Sequence, residues 1–94
     1  HQTGKLKQAE KLYLSILAAD PEHADALSSL AMIRHQAGRY APAIKLLYRA
    51  IAKVDDNPGY FMNLGTVQTA AGQLPDAEQS YRRAIKLAPG YADP

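Results

Sequence analysis

Shifted along itself by 34 residues, the sequence brings three stretches into register without a gap. They are HQTGKLKQAEKLYLSILAADP at 1–21, HQAGRYAPAIKLLYRAIAKVD at 35–55 and TAAGQLPDAEQSYRRAIKLAP at 69–89. Gly4, Gly38 and Gly72 coincide, as do Ala9, Ala43 and Ala77, then Tyr13, Leu47 and Tyr81, then Ile16, Ala50 and Ala84. Between the blocks, ADALSSLAMIR (24–34) aligns with PGYFMNLGTVQ (58–68), pairing Leu27 with Phe61, Leu30 with Leu64 and Ala31 with Gly65. A period of this length constrains the fold more than any composition does. Each unit is too small to bury its own apolar face, so the chain must stack units into a continuous core.

Each period predicts two helices. Segment 24–37 places Leu27, Leu30 and Ala31 at the three-and-four spacing of one helical face. After Gly38 a second helix is expected from about Ala41, with Pro42 in a first turn where its missing N–H costs nothing. Its inward residues are Ala43, Ile44, Leu47, Ala50, Ile51 and Val54. Pro75 opens the corresponding helix and Pro89 stops it. A helix from Lys5 to Ala19 precedes both. Gly38 and Gly72 fall just past a helix end, where left-handed backbone is cheap only for glycine. Gly65 is expected mid-helix on the core face, where Ala77 and Ala84 opposite let two backbones approach and Leu30, Leu64, Phe61 and Tyr81 fill the flanks.

Bulk properties exclude several classes. At 47% hydrophobic and 21% charged the 94 residues are ordinary globular material and one small domain at most. No apolar run nears the ~20 residues of a membrane span, and no targeting segment precedes the helical pattern, so a cytoplasmic location without membrane is expected. A net charge of +2 with interspersed signs argues against nucleic acid. Without cysteine there is no disulfide, thiol nucleophile or zinc knuckle. The chain opens at His1 rather than Met, the expectation being a piece of something longer.

The aligned residues resemble the tetratricopeptide repeat, whose pattern is W-x2-L-G-x2-Y, then A-x3-F, then P. One period reads Phe61-x2-Leu64-Gly65-x2-Gln68, Ala77-x3-Tyr81, Pro89; the other reads Leu27-x2-Leu30-Ala31-x2-Arg34, Ala43-x3-Leu47, Asp55. Gln68 and Arg34 replace the family's tyrosine, and Asp55 its proline. The resemblance covers about the whole chain. It implies an all-α fold of five helices, helix–turn–helix repeats stacked as a right-handed α-α superhelix. In this parsing 1–23 is the second helix of a partial repeat, 24–57 and 58–91 are full repeats, and 92–94 begins a further one. Part of the Leu6, Ala9, Tyr13 and Ile16 surface is then left bare, predicting self-association through the repeat ends.

In such a stack Ile33, Val67, Ala26 and Tyr60 point towards neighbouring repeats. A stripe roughly 130° from the core stripe is left to line the concave wall. It comprises Asp25, Ser28, Met32 and His35, with Ser29 and Gln36 beside it; one period on it is Gly59, Met62, Thr66 and Thr69, with Asn63 beside it. The family binds extended peptides or partner helices on this wall. Asn63 stands where peptide-binding members place an asparagine, whose amide both donates and accepts; a solvated helix residue is the plain alternative. Met32 and Met62 serve either as an adaptable apolar floor or as gap filling. No Lys or Arg lines the stripes, against a clamp for a terminal carboxylate.

Catalytic and metal chemistry find little footing. His1 and His35 lie one period apart without a third ligand. Asp55-Asp56-Asn57 lacks the glycine and glutamate of a calcium loop, having Tyr60 and Thr66 there, and is expected to be a solvated turn. No glycine loop or orienting carboxylate accompanies the serines and histidines. Lys5, Lys7, Lys11, Arg82, Arg83 and Lys86 fall on the convex helices as solubilising charge. The expectation is a non-enzymatic protein-interaction module with no cofactor or metal. The alternative is the substrate-presenting arm of a larger glycosyltransferase, since the repeats are similar in style to those of bacterial O-linked N-acetylglucosamine transferase relatives.

Overall fold

The computed structural model describes residues 2–89, with side chains from residue 4. His1 and residues 90–94, and with them the expected start of a further repeat, lie outside the described residues. Five helices follow one another: α1 (Gln2–Ala19), α2 (Ala24–Gln36), α3 (Tyr40–Lys53), α4 (Pro58–Ala70) and α5 (Leu74–Leu87). No strand occurs among the described residues. The α2–α3 and α4–α5 pairs pack most extensively, and α3–α4 and α1–α2 join one pair to the next. The result is a right-handed α-α superhelix. No helix of the described residues is long and apolar enough to cross a membrane.

Helix ends follow from local chemistry. His23 Nδ1 accepts the Ala26 N–H at 3.1 Å and opens α2, with Asp25 in the positive first turn. Asn57 Oδ1 accepts the Gly59 N–H at 2.8 Å and opens α4 at Pro58. Both α2 and α4 end identically. Gly38 (φ 77°) and Gly72 (φ 81°) take the left-handed conformation. The next N–H then reaches back five residues, Arg39 to the Arg34 carbonyl and Gln73 to the Gln68 carbonyl, each at 2.8 Å. Gly4 departs from its aligned counterparts, for it lies inside α1 without a positive φ. That helix also starts three residues before the expected Lys5.

Burial realises the expected stripes. Ala43, Leu47 and Ala50 of α3 are fully buried, with Ile44, Ile51 and Val54 half-buried beside them. Leu47 and Ala43 pack with Ala31, Leu64 and Val67, while Ala50 packs with Leu27 and Tyr60. Val67 and Tyr60 thus reach the preceding pair, as their stripe predicts. The Leu6, Ala9, Tyr13 and Ile16 face of α1 is half-buried, so part of it stays exposed, and the exposed large apolar residues of that helix are Leu12 and Leu14.

Gly65 is buried, but its close neighbour is a ring rather than a backbone. A Cβ built there would lie 2.7–2.9 Å from three ring atoms of Tyr81. The flanking role expected of Tyr81 is therefore corrected: its ring fills the space that a methyl at position 65 would need. Gly65→Ala should lower the stability by about 1 kcal/mol, overpacking of ~1–3 kcal/mol outweighing the ~1 kcal/mol that alanine gains in a helix. In a Tyr81→Ala background the same substitution should become stabilising. Thermal melts of the four proteins measure the change of sign.

Candidate functional site

The helices expected to line the inner wall, α2 and α4, contact each other directly. Two side-chain hydrogen bonds stitch them, each spanning 35 residues. Tyr60 OH donates to the Asp25 carboxylate. Asn63 Nδ2 donates to Ser28 Oγ at 3.0 Å. This seam was not anticipated. Its only signal in the sequence is the recurrence of polar pairs at one residue more than the repeat period.

The expected wall residues fall into two groups. Asp25, Gln36 and Thr69 are exposed, and Ser29, His35, Gly59, Met62, Asn63 and Thr66 are half-buried and reach the surface. Ser28 is corrected: it is buried, at 5% exposure, beneath Asn63, so its hydroxyl is committed to the seam. Met32 packs against the Ala31–Leu47–Leu64 cluster and is gap filling rather than open floor. Several hydroxyls are also occupied. Thr69 Oγ1 donates to the Gly65 carbonyl at 2.8 Å and Thr66 Oγ1 to the Met62 carbonyl at 3.0 Å. The His35 ring leans on Tyr40 with centroids 5.7 Å apart. Asn63 keeps its carbonyl oxygen and one N–H for another partner, since its single described bond uses one amide hydrogen.

Chemically the wall offers amide and hydroxyl groups, one carboxylate (Asp25), one imidazole (His35) and the thioether of Met62. None of its residues is a Lys or Arg. No group of three His, Asp or Glu among the described residues is placed to hold a metal ion. The departures from the family's tyrosine are explained on the other side of α2 and α4. Buried Gln68 accepts from Ser80 Oγ at 2.6 Å and donates to Tyr48 OH at 3.3 Å. Arg34 pairs with Glu10 across the α1–α2 junction. Each therefore joins its helix to flanking second helices by polar contacts.

Burial, reinforced by the hydrogen bond to Asp25 and that group's negative charge, pushes the Tyr60 phenol up to about 12; a bond with Asn57 works the other way. Because the folded value is raised, the contribution is complete below the unfolded value of ~10 and is lost as pH rises through the folded one. Phenolate absorbance should show one of the six tyrosines ionising last. Tyr60→Phe should remove that step and flatten the loss of stability between about pH 10 and 12, and Asp25→Asn should move the step down.

Comparison with known proteins agrees with this architecture. The family model described as Tetratricopeptide repeat matches residues 2–60 and 49–92. The human Tetratricopeptide repeat protein 7B is 32% identical over 84 residues, 89% of this chain and 10% of that protein. Among solved structures, a mutant O-GlcNAc transferase of Thermobaculum terrenum superposes with a TM-score of 0.91 at 32% identity, over 94% of this chain and 17% of that one. The second TPR of Spaghetti (RPAP3), bound to the HSP90 peptide SRMEEVD, gives a TM-score of 0.83 at 28% identity, over 92% of this chain and 80% of that one. The chain spans between 10% and 19% of the length of the curated relatives it matches. Repeat period, turn geometry, buried stripes and family model converge, and the chain belongs to the tetratricopeptide repeat family.

Proposed function

We propose that this chain is a protein-interaction module that holds a peptide or helix of a partner against the inner wall of α2 and α4. The observation that carries this reading is Asn63. Its amide sits half-buried at the centre of the wall, is oriented by Ser28, and retains one donor and its acceptor. An extended backbone needs that combination. The HSP90 peptide bound to the similar RPAP3 repeats supports the reading. The partner differs in kind, because a wall with Asp25 and no Lys or Arg has no cation to hold an acidic terminus. The ligand is an internal, neutral-to-basic segment. Within this reading 24–57 and 58–91 are full repeats, 1–23 contributes the second helix of another, and 92–94 opens the next.

The test is selection of a peptide from a display library on the intact chain, followed by affinity measurements. Asn63→Ala should weaken binding about tenfold, the loss of one to two hydrogen bonds. Met62→Glu should weaken an uncharged peptide by placing a solvated charge in the floor. Binding indifferent to both would remove the inner wall from the account.

A second reading is favoured by the 32% identity and TM-score of 0.91 to the Thermobaculum terrenum O-GlcNAc transferase: these repeats present substrate to a glycosyltransferase domain elsewhere in a longer protein. The full-length protein should then transfer N-acetylglucosamine, and deletion of the segment should impair protein substrates but not free sugar-nucleotide hydrolysis. In both readings Leu12, Leu14, Leu74 and Ile85, each more than 40% exposed, favour self-association of the isolated chain. Light scattering should report a mass that rises with concentration, and Leu12→Glu with Ile85→Glu should return it to the monomer.

A further inference from the structure

The outer side of the stack carries a groove distinct from the inner wall, floored by the buried Leu30 and by Leu46, which is half-buried against both core clusters. Leu30 and Arg34 of α2 and Pro42, Lys45, Leu46 and Arg49 of α3 line it, around a volume of about 660 Å³. That is ample for one or two large side chains. Its lining is mostly apolar with a cationic rim. Arg34 is already matched by Glu10. Lys45 makes no ion pair among the described residues, and the Arg49 guanidinium meets only the Pro21 carbonyl there, at 3.0 Å.

An internal control shows that the fold does not require this chemistry. One period on, the equivalent groove is lined by Leu64, Gln68, Asp76, Gln79, Ser80 and Arg83 and holds about 350 Å³. Pro42 has become Asp76, Lys45 has become Gln79, and Leu46 has become Ser80. Ser80 bonds Gln68, and the Arg83 guanidinium lies 5.8 Å from the Phe61 ring centre. The equivalent helix pair thus tolerates a smaller and more polar groove, while the first keeps Leu46 in its lining and two exposed cations at its rim.

Charge is partitioned on the same axis. The outer helices α1, α3 and α5 carry three cations each, nine of the eleven Lys and Arg, against Glu10, Asp76 and Glu78. α4 carries no charge at all. A field of this sign steers an anionic partner to the outer side. A phosphate backbone or a flat membrane surface would meet the rim but leave the recessed apolar lining empty. An amphipathic peptide fills both. We propose that this groove docks an acidic amphipathic segment of a partner protein, seating an apolar side chain on Leu30 and Leu46 between carboxylates that meet Lys45 and Arg49.

The probe is a fluorescein-labelled peptide of Glu and Leu at helical spacing, titrated with the intact chain and read by anisotropy. Saturable binding is expected. It should weaken about tenfold or more in Lys45→Glu/Arg49→Glu, whose sites are exposed, and change little in Arg83→Glu of the second groove or Asn63→Ala of the inner wall. Leu46→Ser, which copies the second groove, should also weaken it, with circular dichroism melts establishing that each variant folds. Absence of binding, equal binding of a Lys-for-Glu peptide, or indifference to the charge reversal overturns the proposal. So does binding of phosphatidylserine vesicles or a single-stranded oligonucleotide that the peptide fails to displace. A dimer mass abolished by the same charge reversal would reassign the groove to contact between copies. None of these outcomes touches the inner-wall reading, which Asn63→Ala probes separately.

Discussion

A single buried stripe on α3 holds the stack together. Ala43, Leu47 and Ala50 are fully excluded from water because α2 covers them from one side and α4 from the other. Two alanines bring the neighbouring helices near, and the leucine between them fills the gap that results. Burial of that one leucine against both neighbours is worth roughly 1.5–3 kcal/mol. Each neighbour would expose it if removed. Cooperation between adjacent repeats is therefore a packing consequence, as expected for an architecture whose units contact only their nearest companions.

The small-against-large logic recurs at Gly65 and Tyr81 with the sizes redistributed. In the first pair Ala31 faces Leu47, and in the second Gly65 faces Tyr81. A larger ring on one helix requires a smaller residue on the other, since interiors are packed near crystal density and cannot absorb a surplus methyl. The Tyr81 hydroxyl emerges at Thr66 Oγ1, 3.4 Å away, so the ring spans from the core to the inner wall. Wall chemistry and core packing are thus coupled through one side chain.

Polar groups do the complementary work between repeats. On the inner side Tyr60–Asp25 and Asn63–Ser28 fix the register of α4 on α2, and on the outer side Gln68 joins Ser80 and Tyr48. Every buried side-chain nitrogen or oxygen among the described residues has a partner. A satisfied network of this kind specifies one arrangement of surfaces that are otherwise apolar and would tolerate sliding. It also decides which polar atoms remain for ligands. Ser28 is consumed by the seam, whereas Asn63 is oriented by it and still has bonding capacity. On the outer side Ser80 bonds Gln68 in the second groove, whereas Leu46 stands in that place in the first.

How far the sequence alone reached follows from the range of the forces involved. The 34-residue period, the two helices per unit, the left-handed glycines and the stripe Ala43–Leu47–Ala50 are consequences of local backbone preference and helical spacing, both written into consecutive residues. What lay beyond reach depended on atoms brought together from different repeats. The burial of Ser28 under Asn63, the use of Met32 as filling, the ring of Tyr81 over Gly65 and the outer groove by Lys45 each arise where two helices meet at an angle and depth that no spacing rule contains. Periodicity tells which face of a helix turns inward; only the packed stack decides how deep each side chain lies and which neighbour takes its hydrogen bond.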